Sequence, residues 1–363
     1  MADNLFAPSE NPFTLQFSFI PPQYITRQGL TNEIVNDLTK KVPTFRGHFL
    51  TGVRGCGKTV MMADISNIMN EKEEWITVDI ENPNSNILDS LARGLYRIPM
   101  LKDLFIKAKL DVSVLGLGVS IEKAELIASN ENDAIDFMLN ILKKTNKRVL
   151  VTIDEVTYCK EIASFSHSLS SYARSGYEIY VLMTGLKENI KAIKNDKSLT
   201  FLYRAKEHIL EPLNITAIIA DYQKVFNMDR ENAENMAWLT KGYSFAFQVL
   251  GYLYWDALGR NERNDVDFDE VISLFDQYLA EFVYEKIWSE LARKEKQVLI
   301  AISESDVTEV KTIRNTLSMN SSMFSVYRNR LMDKGLINGS EYGKVKLTLP
   351  RFKEFVLIHR YEE

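Results

Sequence analysis

Eight consecutive residues of this chain have the types and spacing of a phosphate-binding loop. Glycines let a backbone take positive φ, so that its N–H groups can turn inward around an anion. In such a loop the lysine neutralises the β- and γ-phosphates of a nucleotide, and the final hydroxyl binds Mg²⁺. The pattern G-x-x-x-x-G-K-[ST] consists here of Gly52, Val53, Arg54, Gly55, Cys56, Gly57, Lys58 and Thr59. It predicts ATP/ADP and Mg²⁺ as ligands.

The segments on either side of the loop are those that such a site requires. A short apolar strand is predicted at residues 48–50, before the loop, and apolar residues recur at helical spacing over residues 60–69. A strand, a glycine-rich turn and a helix in this order turn a pattern match into a site prediction. We interpret Cys56 as a small loop residue; a redox-sensitive thiol at the helix start is the alternative.

Two acidic residues follow a second predicted strand. Residues 148–153 are nearly all apolar, which is typical of a strand buried on both faces, and Asp154 and Glu155 come directly after them. We expect Asp154 to bind Mg²⁺ together with Thr59. Neighbours at a strand end point in different directions, so Glu155 is predicted to be the base that orients and deprotonates the attacking water.

Thr184 and Arg204 are the remaining catalytic candidates. Thr184 follows the strand predicted at residues 177–183, and its hydroxyl is expected to contact the γ-phosphate or the attacking water. A helix cap is the alternative for Thr184. Arg204 precedes a short strand and is expected to stabilise the γ-phosphate of a neighbouring subunit, which requires a homo-oligomer. A surface or interdomain salt bridge is the alternative for Arg204.

Strands that alternate with helices predict an α/β fold with a parallel sheet and helices on both faces. From residue 214 onward the periodicity is helical until a last strand near the C-terminus. We therefore predict an N-terminal arm (1–29), an α/β core with the phosphate-binding loop (30–212), a small helical domain (213–285) and a third unit of helices and a strand (286–363). Within the core, residues 110–121 predict a β-hairpin bent at Gly116 and Gly118, which either covers the sheet or contacts a partner.

Together these motifs resemble prokaryotic P-loop ATPases of the AAA+/STAND group, close to replication-initiator (origin-recognition-like) ATPases. The matching segments are residues 52–59 (Walker A), 149–156 (Walker B), 184–185 (sensor 1), 200–213 (the arginine-bearing segment) and 240–251 (the lid segment). Residues 11–13 and 21–22, with Arg27, resemble the adenine-proximal segment of the family. The resemblance implies an AAA+-like core, a helical lid, a C-terminal winged helix and ATPase (hydrolase) activity.

The lid segment departs from both groups. Initiator-type relatives often carry a sensor 2 arginine there, whereas this chain has Ser244, Phe245 and Ala246. STAND switches favour a proline at the position of Ser244, and Lys241 is only a weak substitute for the arginine. Hydrolysis is therefore expected to be slow.

The C-terminal domain has the residues for contact with DNA or with a protein. Its predicted recognition helix, residues 321–334, carries Tyr327, Arg328, Arg330 and Lys334, and a wing is predicted at residues 342–349. From Lys286 to the end there are 14 Lys/Arg against 10 Asp/Glu. A modest basic excess with a helix-turn-helix favours DNA, but winged helices also dock proteins, and both partners stay open.

Composition excludes several other classes of protein. The chain has 363 residues and a net charge of −5, which argues against a surface that coats nucleic acid throughout. Two cysteines provide no disulfide framework and suit a reducing compartment. No apolar run approaches the ~20 residues of a membrane span, and the first residues lack signal-peptide features. We expect a cytoplasmic protein with no membrane contact.

The leading hypothesis is an ATP-binding protein with Mg²⁺-dependent ATP hydrolysis. It would act as a nucleotide-driven switch that positions the winged helix on DNA or a protein partner. The alternative is a nucleotide-stabilised regulatory or defence-type STAND-like module with negligible turnover. A small-molecule kinase is less favoured, because such folds lack a C-terminal winged helix.

Overall fold

The computed structural model describes residues 10–16, 20–117, 124–260, 266, 268–305 and 309–361. The backbone packs into two compact units. The first, which we call the sheet unit, consists of Arg27–Thr51 and Lys58–Ile209. The second, which we call the helical unit, consists of Leu210–Glu363, the loop Gly52–Gly57 and the N-terminal residues up to Thr26.

The sheet unit is built on five parallel strands in the order β2-β5-β6-β1-β7. All seven residues of β6 are buried, as expected for a central strand covered on both faces. This sheet confirms the predicted α/β fold class. The strands of the unit are β1 (Gly47–Thr51), β2 (Trp75–Ile80), β3 (Leu110–Asp111), β4 (Leu126–Ile127), β5 (Arg148–Ile153), β6 (Ile179–Gly185) and β7 (Lys206–Ile209).

Three helices of the sheet unit begin at a residue that supplies a cap or a proline. Asn86 and Asn130 each accept a hydrogen bond from a backbone N–H in the first turn that follows, and Pro99 stands at the first position of its helix. The helices are α1 (Gln28–Thr39), α2 (Lys58–Asn70), α3 (Ile87–Arg97), α4 (Pro99–Lys107), α5 (Glu131–Lys144), α6 (Lys160–Arg174), α7 (Lys187–Asn195) and α8 (Thr200–Tyr203).

The hairpin predicted at residues 110–121 is wrong over its described part. The carboxylate of Asp111 accepts a hydrogen bond from the Ser113 N–H, and a 3₁₀ turn, Ser113–Leu115, follows instead of a second strand. β3 pairs with β4, and the two strands are parallel. The apolar pattern therefore reflects burial of turn residues rather than strand alternation. Residues 118–121, with Gly118, lie outside the described residues.

The helical unit contains helices and one short antiparallel ribbon. Its first two helices, 215–226 and 230–240, lie where helical periodicity is predicted from residue 214 onward. The elements are α9 (Ile215–Phe226), α10 (Arg230–Thr240), α11 (Ser244–Arg260), α12 (Phe268–Leu279), the π-helical turn Ala280–Tyr284, α13 (Glu285–Ser289), α14 (Arg293–Glu304), α15 (Val310–Thr316), α16 (Ser321–Asp333), β8 (Ile337–Asn338), β9 (Lys346–Leu347) and α17 (Phe352–Ile358).

The N-terminal residues pack onto the helical unit through an aromatic cluster. The ring of Phe13, which is 1% exposed, lies with its centroid 6.1 Å from that of Tyr222, 5.6 Å from that of Phe226 and 5.5 Å from that of Phe247. Gly251 leaves the space that this ring fills. Across the described part of the chain, no helix has the length and apolar character needed to cross a membrane.

Two histidines are buried together on the neighbouring strands β1 and β7. Nδ1 of His48 lies 3.0 Å from Nε2 of His208, and both side chains are almost fully buried. Burial lowers the pKa of His48 to about 4 and also lowers the pKa of His208. The charged groups around the pair are Glu33, Asp37 and Lys206. The pair is therefore neutral at pH 7.

The first prediction concerns this histidine pair. Between the ordinary histidine pKa of about 6.5 and the lowered value near 4, the unfolded chain binds a proton that folded His48 does not. The free energy of unfolding is therefore unaffected by this group above about pH 6.5. It decreases as the pH drops, by on the order of 3 kcal/mol at pH 4. We expect His48→Asn to flatten this fall, measured by calorimetry across pH 4 to 7. The exposed His167→Asn is the control, and an equal effect of both variants would contradict the assignment.

Candidate functional site

The loop between β1 and α2 has the backbone shape of an anion-binding turn. Gly55 and Gly57 have positive φ, of 76° and 91°. The Cys56 N–H donates to the carbonyl of Val53 at 3.3 Å, which closes the turn. Helix α2 begins immediately afterwards at Lys58 and has no acidic residue in its first turn. A helix N-terminus with no acidic residue in its own first turn favours an anion at this position.

The carboxylate of Asp154 joins three of the predicted site residues in the sheet unit. The Thr59 hydroxyl donates to its Oδ2 at 2.8 Å, and the Thr184 hydroxyl donates to its Oδ1. The Glu155 N–H donates to Oδ1 of Asp154 at 3.0 Å and to Oγ1 of Thr184 at 3.1 Å. Thr59, Asp154, Glu155 and Thr184 are thus together at the carboxyl ends of β5 and β6, where ligands bind in such sheets.

The parallel register explains why Thr184 meets Asp154. Ile153, the last residue of β5, lies opposite Met183 of β6, so the next residue on each strand is also level. Helix α7 has Leu186 as its N-cap, without a side-chain cap. The hydroxyl of Thr184 therefore serves Asp154 rather than capping α7, and its predicted contact with a γ-phosphate or a water stays a prediction.

Glu155 leaves the strand in a left-handed conformation, with φ of 49°. The chain turns at this residue, and the N–H of Val156 then donates to the carbonyl of Thr184 at 2.8 Å. Val156 is fully buried. Since the backbone reverses its twist at Glu155, this side chain leaves in a different direction from that of Asp154.

Thr59 and Asp154 form a donor set that fits Mg²⁺. A hydroxyl and a carboxylate oxygen lie 2.8 Å apart at the start of α2 and the end of β5. Over the described ranges, no group of three or more His, Cys, Asp or Glu is placed to hold a metal ion on its own. Mg²⁺ in nucleotide sites uses one or two protein ligands and completes its shell with phosphates and waters, so two protein ligands are sufficient.

Arg204 lies at the opposite edge of the sheet. It is the exposed C-cap of α8 and comes directly before β7. Because β7 runs parallel to β1, residues that precede β7 lie at the amino ends of the strands. Asp154 lies at the carboxyl ends. A role for Arg204 at the Asp154 site of its own subunit does not fit this topology, and a role at a neighbouring subunit stays a prediction.

Within the helical unit, three consecutive carbonyls of the loop are hydrogen-bonded by the residues that open α11. None of these bonds is predicted by the motif, which specifies only the loop. The donors are the Tyr243 hydroxyl to Arg54 O (2.5 Å), the Ser244 hydroxyl to Cys56 O (2.8 Å) and the Phe245 N–H to Gly55 O (3.1 Å). We call Tyr243, Ser244 and Phe245 the carbonyl clamp.

Two side chains of the loop contact the C-terminal part of the same unit. Nη2 of Arg54 lies 3.6 Å from Oε1 of Glu290. The side chain of Val53 occupies the space beside Gly335 where a β-carbon would stand. Two variable positions of the loop thus contact a residue just before α14, Glu290, and a residue just after α16, Gly335.

Lys241 binds this C-terminal part as well. Its ammonium donates to the carbonyl of Leu349 at 3.2 Å, and burial lowers its pKa. Lys241, the weak substitute for a sensor 2 arginine, is therefore engaged with the backbone carbonyl of Leu349.

The predicted recognition helix, α16, presents a mixed surface. Met323 and Val326 are exposed on it, at 37% and 49%. Arg328 donates to the carbonyl of Gly339 at 2.9 Å and so holds the following turn. The guanidinium of Arg330 lies 5.7 Å from the centroid of the Tyr327 ring. The side chain of Arg330 is exposed, whereas that of Arg328 is half-buried and hydrogen-bonded to the backbone.

Comparison with known proteins identifies the fold. The ORC2 protein of Aeropyrum pernix, solved as ADPNP-ADP complexes, is 12% identical, with a TM-score of 0.63 over 96% of this chain and 98% of that one. The Cdc6p protein of Pyrobaculum aerophilum is 14% identical, with a TM-score of 0.52 over 96% and 97%. The predicted resemblance to replication-initiator AAA+ proteins is thus confirmed for the fold.

The other comparisons add less. A STAND protein with a tetratricopeptide repeat sensor from Pyrococcus horikoshii is 17% identical, but its TM-score of 0.41 supports no conclusion; the match covers 96% of this chain and 44% of that one. A family described as "Domain of unknown function (DUF8462)" matches residues 281–356. No curated protein matches the chain at a significant level.

The second prediction concerns Thr184, which is fully buried. Thr184→Val keeps its shape but removes the hydroxyl that binds Asp154 and Glu155. We expect the free energy of unfolding of the sheet unit to fall by about 1–3 kcal/mol, because buried polar groups lose their partner. Denaturant titration measures this loss. Thr184→Ser, which keeps the hydroxyl, is the control; a Val variant as stable as the wild type would show that the bonds contribute nothing.

Proposed function

We propose that this chain binds ATP with Mg²⁺, hydrolyses it slowly, and uses the bound nucleotide to position its C-terminal domain. The observation that carries this proposal is the hydrogen-bonded set of Thr59, Asp154, Glu155 and Thr184 at the carboxyl ends of β5 and β6, in a chain that also has the phosphate-loop sequence. A chance match to the motif would not be expected to come with a threonine hydroxyl, an aspartate carboxylate and a neighbouring glutamate close together. The AAA+ fold adds support.

In the proposed mechanism, residues 52–57 bind the phosphates through backbone N–H groups, and Lys58 neutralises their charge. Thr59 and Asp154 would hold Mg²⁺, which when bound neutralises charge on the β- and γ-phosphates. Glu155 orients the attacking water and accepts its proton. The Thr184 hydroxyl fixes the Asp154 carboxylate. In a homo-oligomer, Arg204 acts on the γ-phosphate held by the neighbouring subunit.

The proposed switch uses contacts of the loop with the C-terminal part of the helical unit. Arg54 approaches Glu290 and Val53 packs beside Gly335, so a change of loop shape on nucleotide binding reaches these residues directly. We take residues 213–285 as the lid and residues 286–363 as the winged-helix domain, with α14, α15, α16 and the β8–β9 ribbon as its elements. Its partner is DNA or a protein.

A second candidate function is a nucleotide-stabilised regulatory module with negligible turnover. The observation that favours it is the placement of the lid residues: Lys241 binds the carbonyl of Leu349, and Ser244 binds that of Cys56. Neither supplies a positive charge to a γ-phosphate in the way a sensor 2 arginine does. Single-turnover measurements of ATP cleavage distinguish this module from the ATPase.

The third prediction is a pair of variants that separates binding from hydrolysis. Lys58→Ala removes the phosphate-neutralising ammonium and should weaken ATP affinity by on the order of 100-fold in calorimetric titration. Glu155→Gln keeps the size of the side chain but removes the base. It should bind ATP as the wild type does and lose turnover.

The controls are exposed residues of the same types, Lys197→Ala and Glu231→Gln. Unchanged ATP affinity in Lys58→Ala would refute the phosphate site. Wild-type turnover in Glu155→Gln would remove Glu155 as the base. If the wild type binds ATP but never cleaves it, the second candidate function is correct.

The fourth prediction distinguishes DNA from protein as the partner of the C-terminal domain. If α16 contacts DNA, Arg330→Ala should weaken retention of duplex DNA and reduce the slope of log affinity against log salt by about 1. Arg230→Ala is the control, because Arg230 is also exposed but pairs with Glu234 on α10. No retention of duplex by the wild type at low salt would assign the domain to protein docking.

A further inference from the structure

We propose that Tyr243 and Ser244 are positioning residues for nucleotide phosphates, acting through the backbone of the phosphate loop. The inference rests on the proposed function, since it assigns a role at the same site. It concerns the face of the loop that looks away from the ligand. The carbonyl clamp holds that face at three successive peptides.

The carbonyls held by Tyr243 and Ser244 each share a peptide group with an N–H that the proposal directs at the phosphates. The carbonyl of Arg54 belongs to the same peptide as the N–H of Gly55, and that of Cys56 to the N–H of Gly57. The third carbonyl, that of Gly55, shares its peptide with the N–H of Cys56, which closes the turn on Val53. A hydrogen bond accepted by a peptide oxygen polarises the peptide and strengthens the N–H as a donor. It also fixes the plane of the peptide and hence the direction of that N–H.

The clamp is built from groups that act as donors. Tyr243 is almost fully buried, and burial holds the pKa of its phenol well above the ordinary value, so its hydroxyl keeps its proton. Phe245 lies in the first turn of α11, where backbone N–H groups have no partner within the helix. The partial positive charge of that helix terminus adds to the polarisation of the Gly55 carbonyl.

The loop sequence is adapted to this arrangement. A side chain on residue 55 would collide with the hydroxyl of Tyr243. Glycine at this position thus serves two purposes: it adopts a φ of 76°, and it admits the tyrosine that holds the Arg54 carbonyl. A G-x-x-x-x-G-K-[ST] pattern does not require its fourth position to be glycine, so Gly55 is accounted for by the clamp.

A functional consequence follows for the lid. The lid segment, residues 240–251, contains no arginine. The start of α11 therefore has no guanidinium group to contact the γ-phosphate. The opening residues of α11 act on the peptides around the phosphates instead. The clamp therefore supports ADP and ATP alike, and movement of α11 alters the grip on either nucleotide.

The fifth prediction tests the clamp with the double variant Tyr243→Phe/Ser244→Ala in the full chain. Each lost bond should weaken affinity about fivefold, so the double variant should bind ADP and MgATP about 25-fold more weakly. Inorganic pyrophosphate, which has phosphates but no base, should lose affinity by the same factor in competition titrations. The wild type and Lys58→Ala are measured in parallel.

The matched control removes the same chemical groups elsewhere in the helical unit. Tyr222 donates to the carbonyl of Phe247 and Ser303 to that of Leu299, both at 2.8 Å and both buried. Tyr222→Phe/Ser303→Ala should lose similar stability while keeping wild-type affinity for pyrophosphate. If Tyr243→Phe fails to fold, Ser244→Ala alone gives the measurement, with an expected fivefold loss.

The outcomes are distinct. The clamp is overturned if the clamp variant and the control variant bind nucleotide with equal affinity. The proposed function is unaffected by that result if the wild type binds nucleotide and Lys58→Ala does not. A loss for ADP that is absent for pyrophosphate also overturns it, because the effect then does not pass through the phosphates. A wild type that binds no nucleotide overturns both proposals.

Discussion

The hydrogen bonds accepted by Asp154 are the constraint on which the candidate site depends. A hydroxyl on α2, a hydroxyl on β6 and a backbone N–H of the next residue all point at this one carboxylate. Three donors from separate elements fix both of its side-chain torsions. The order β2-β5-β6-β1-β7 makes this possible, because it places β6 between β5, which Asp154 directly follows, and β1, which precedes α2 in the chain.

The loop that follows β1 is fixed by different interactions. Its carbonyls are held by the carbonyl clamp, and two of its side chains meet Glu290 and Gly335. In the proposed site, residues 52–57 contact phosphate through their backbone N–H groups. The side chains of Val53 and Arg54 can therefore make other contacts. Here they link the loop to the C-terminal part of the chain. A nucleotide switch requires such a link.

Much of the fold follows from local patterns. The strand, loop and helix around residues 52–59, the buried strand before Asp154, and helices α9 and α10 are all encoded within short windows of sequence. The meeting of Asp154 with Thr59 and Thr184 follows from the general rule that parallel strands share a carboxyl edge. These features could be predicted because each depends on residue type and order.

The remaining features depend on contacts that leave no local signature. Tyr243 and Ser244 lie 189 and 188 residues from the carbonyls that they bind, and any residue type can supply a carbonyl. The segment after Leu110 alternates like a strand, but the chain turns where the Asp111 carboxylate accepts a hydrogen bond from the Ser113 N–H. That Arg204 lies at the amino ends of the strands follows only from the direction in which β7 pairs with β1.

The left-handed backbone at Glu155 has a consequence for the evolution of this position. Such a conformation disfavours glutamate by about 1–2 kcal/mol, whereas asparagine or glycine adopts it readily. Folding alone would select a smaller residue at the turn after β5. A glutamate at this turn opposes that preference, so a single substitution of residue 155 by asparagine or glycine would relieve the backbone strain and remove the carboxylate.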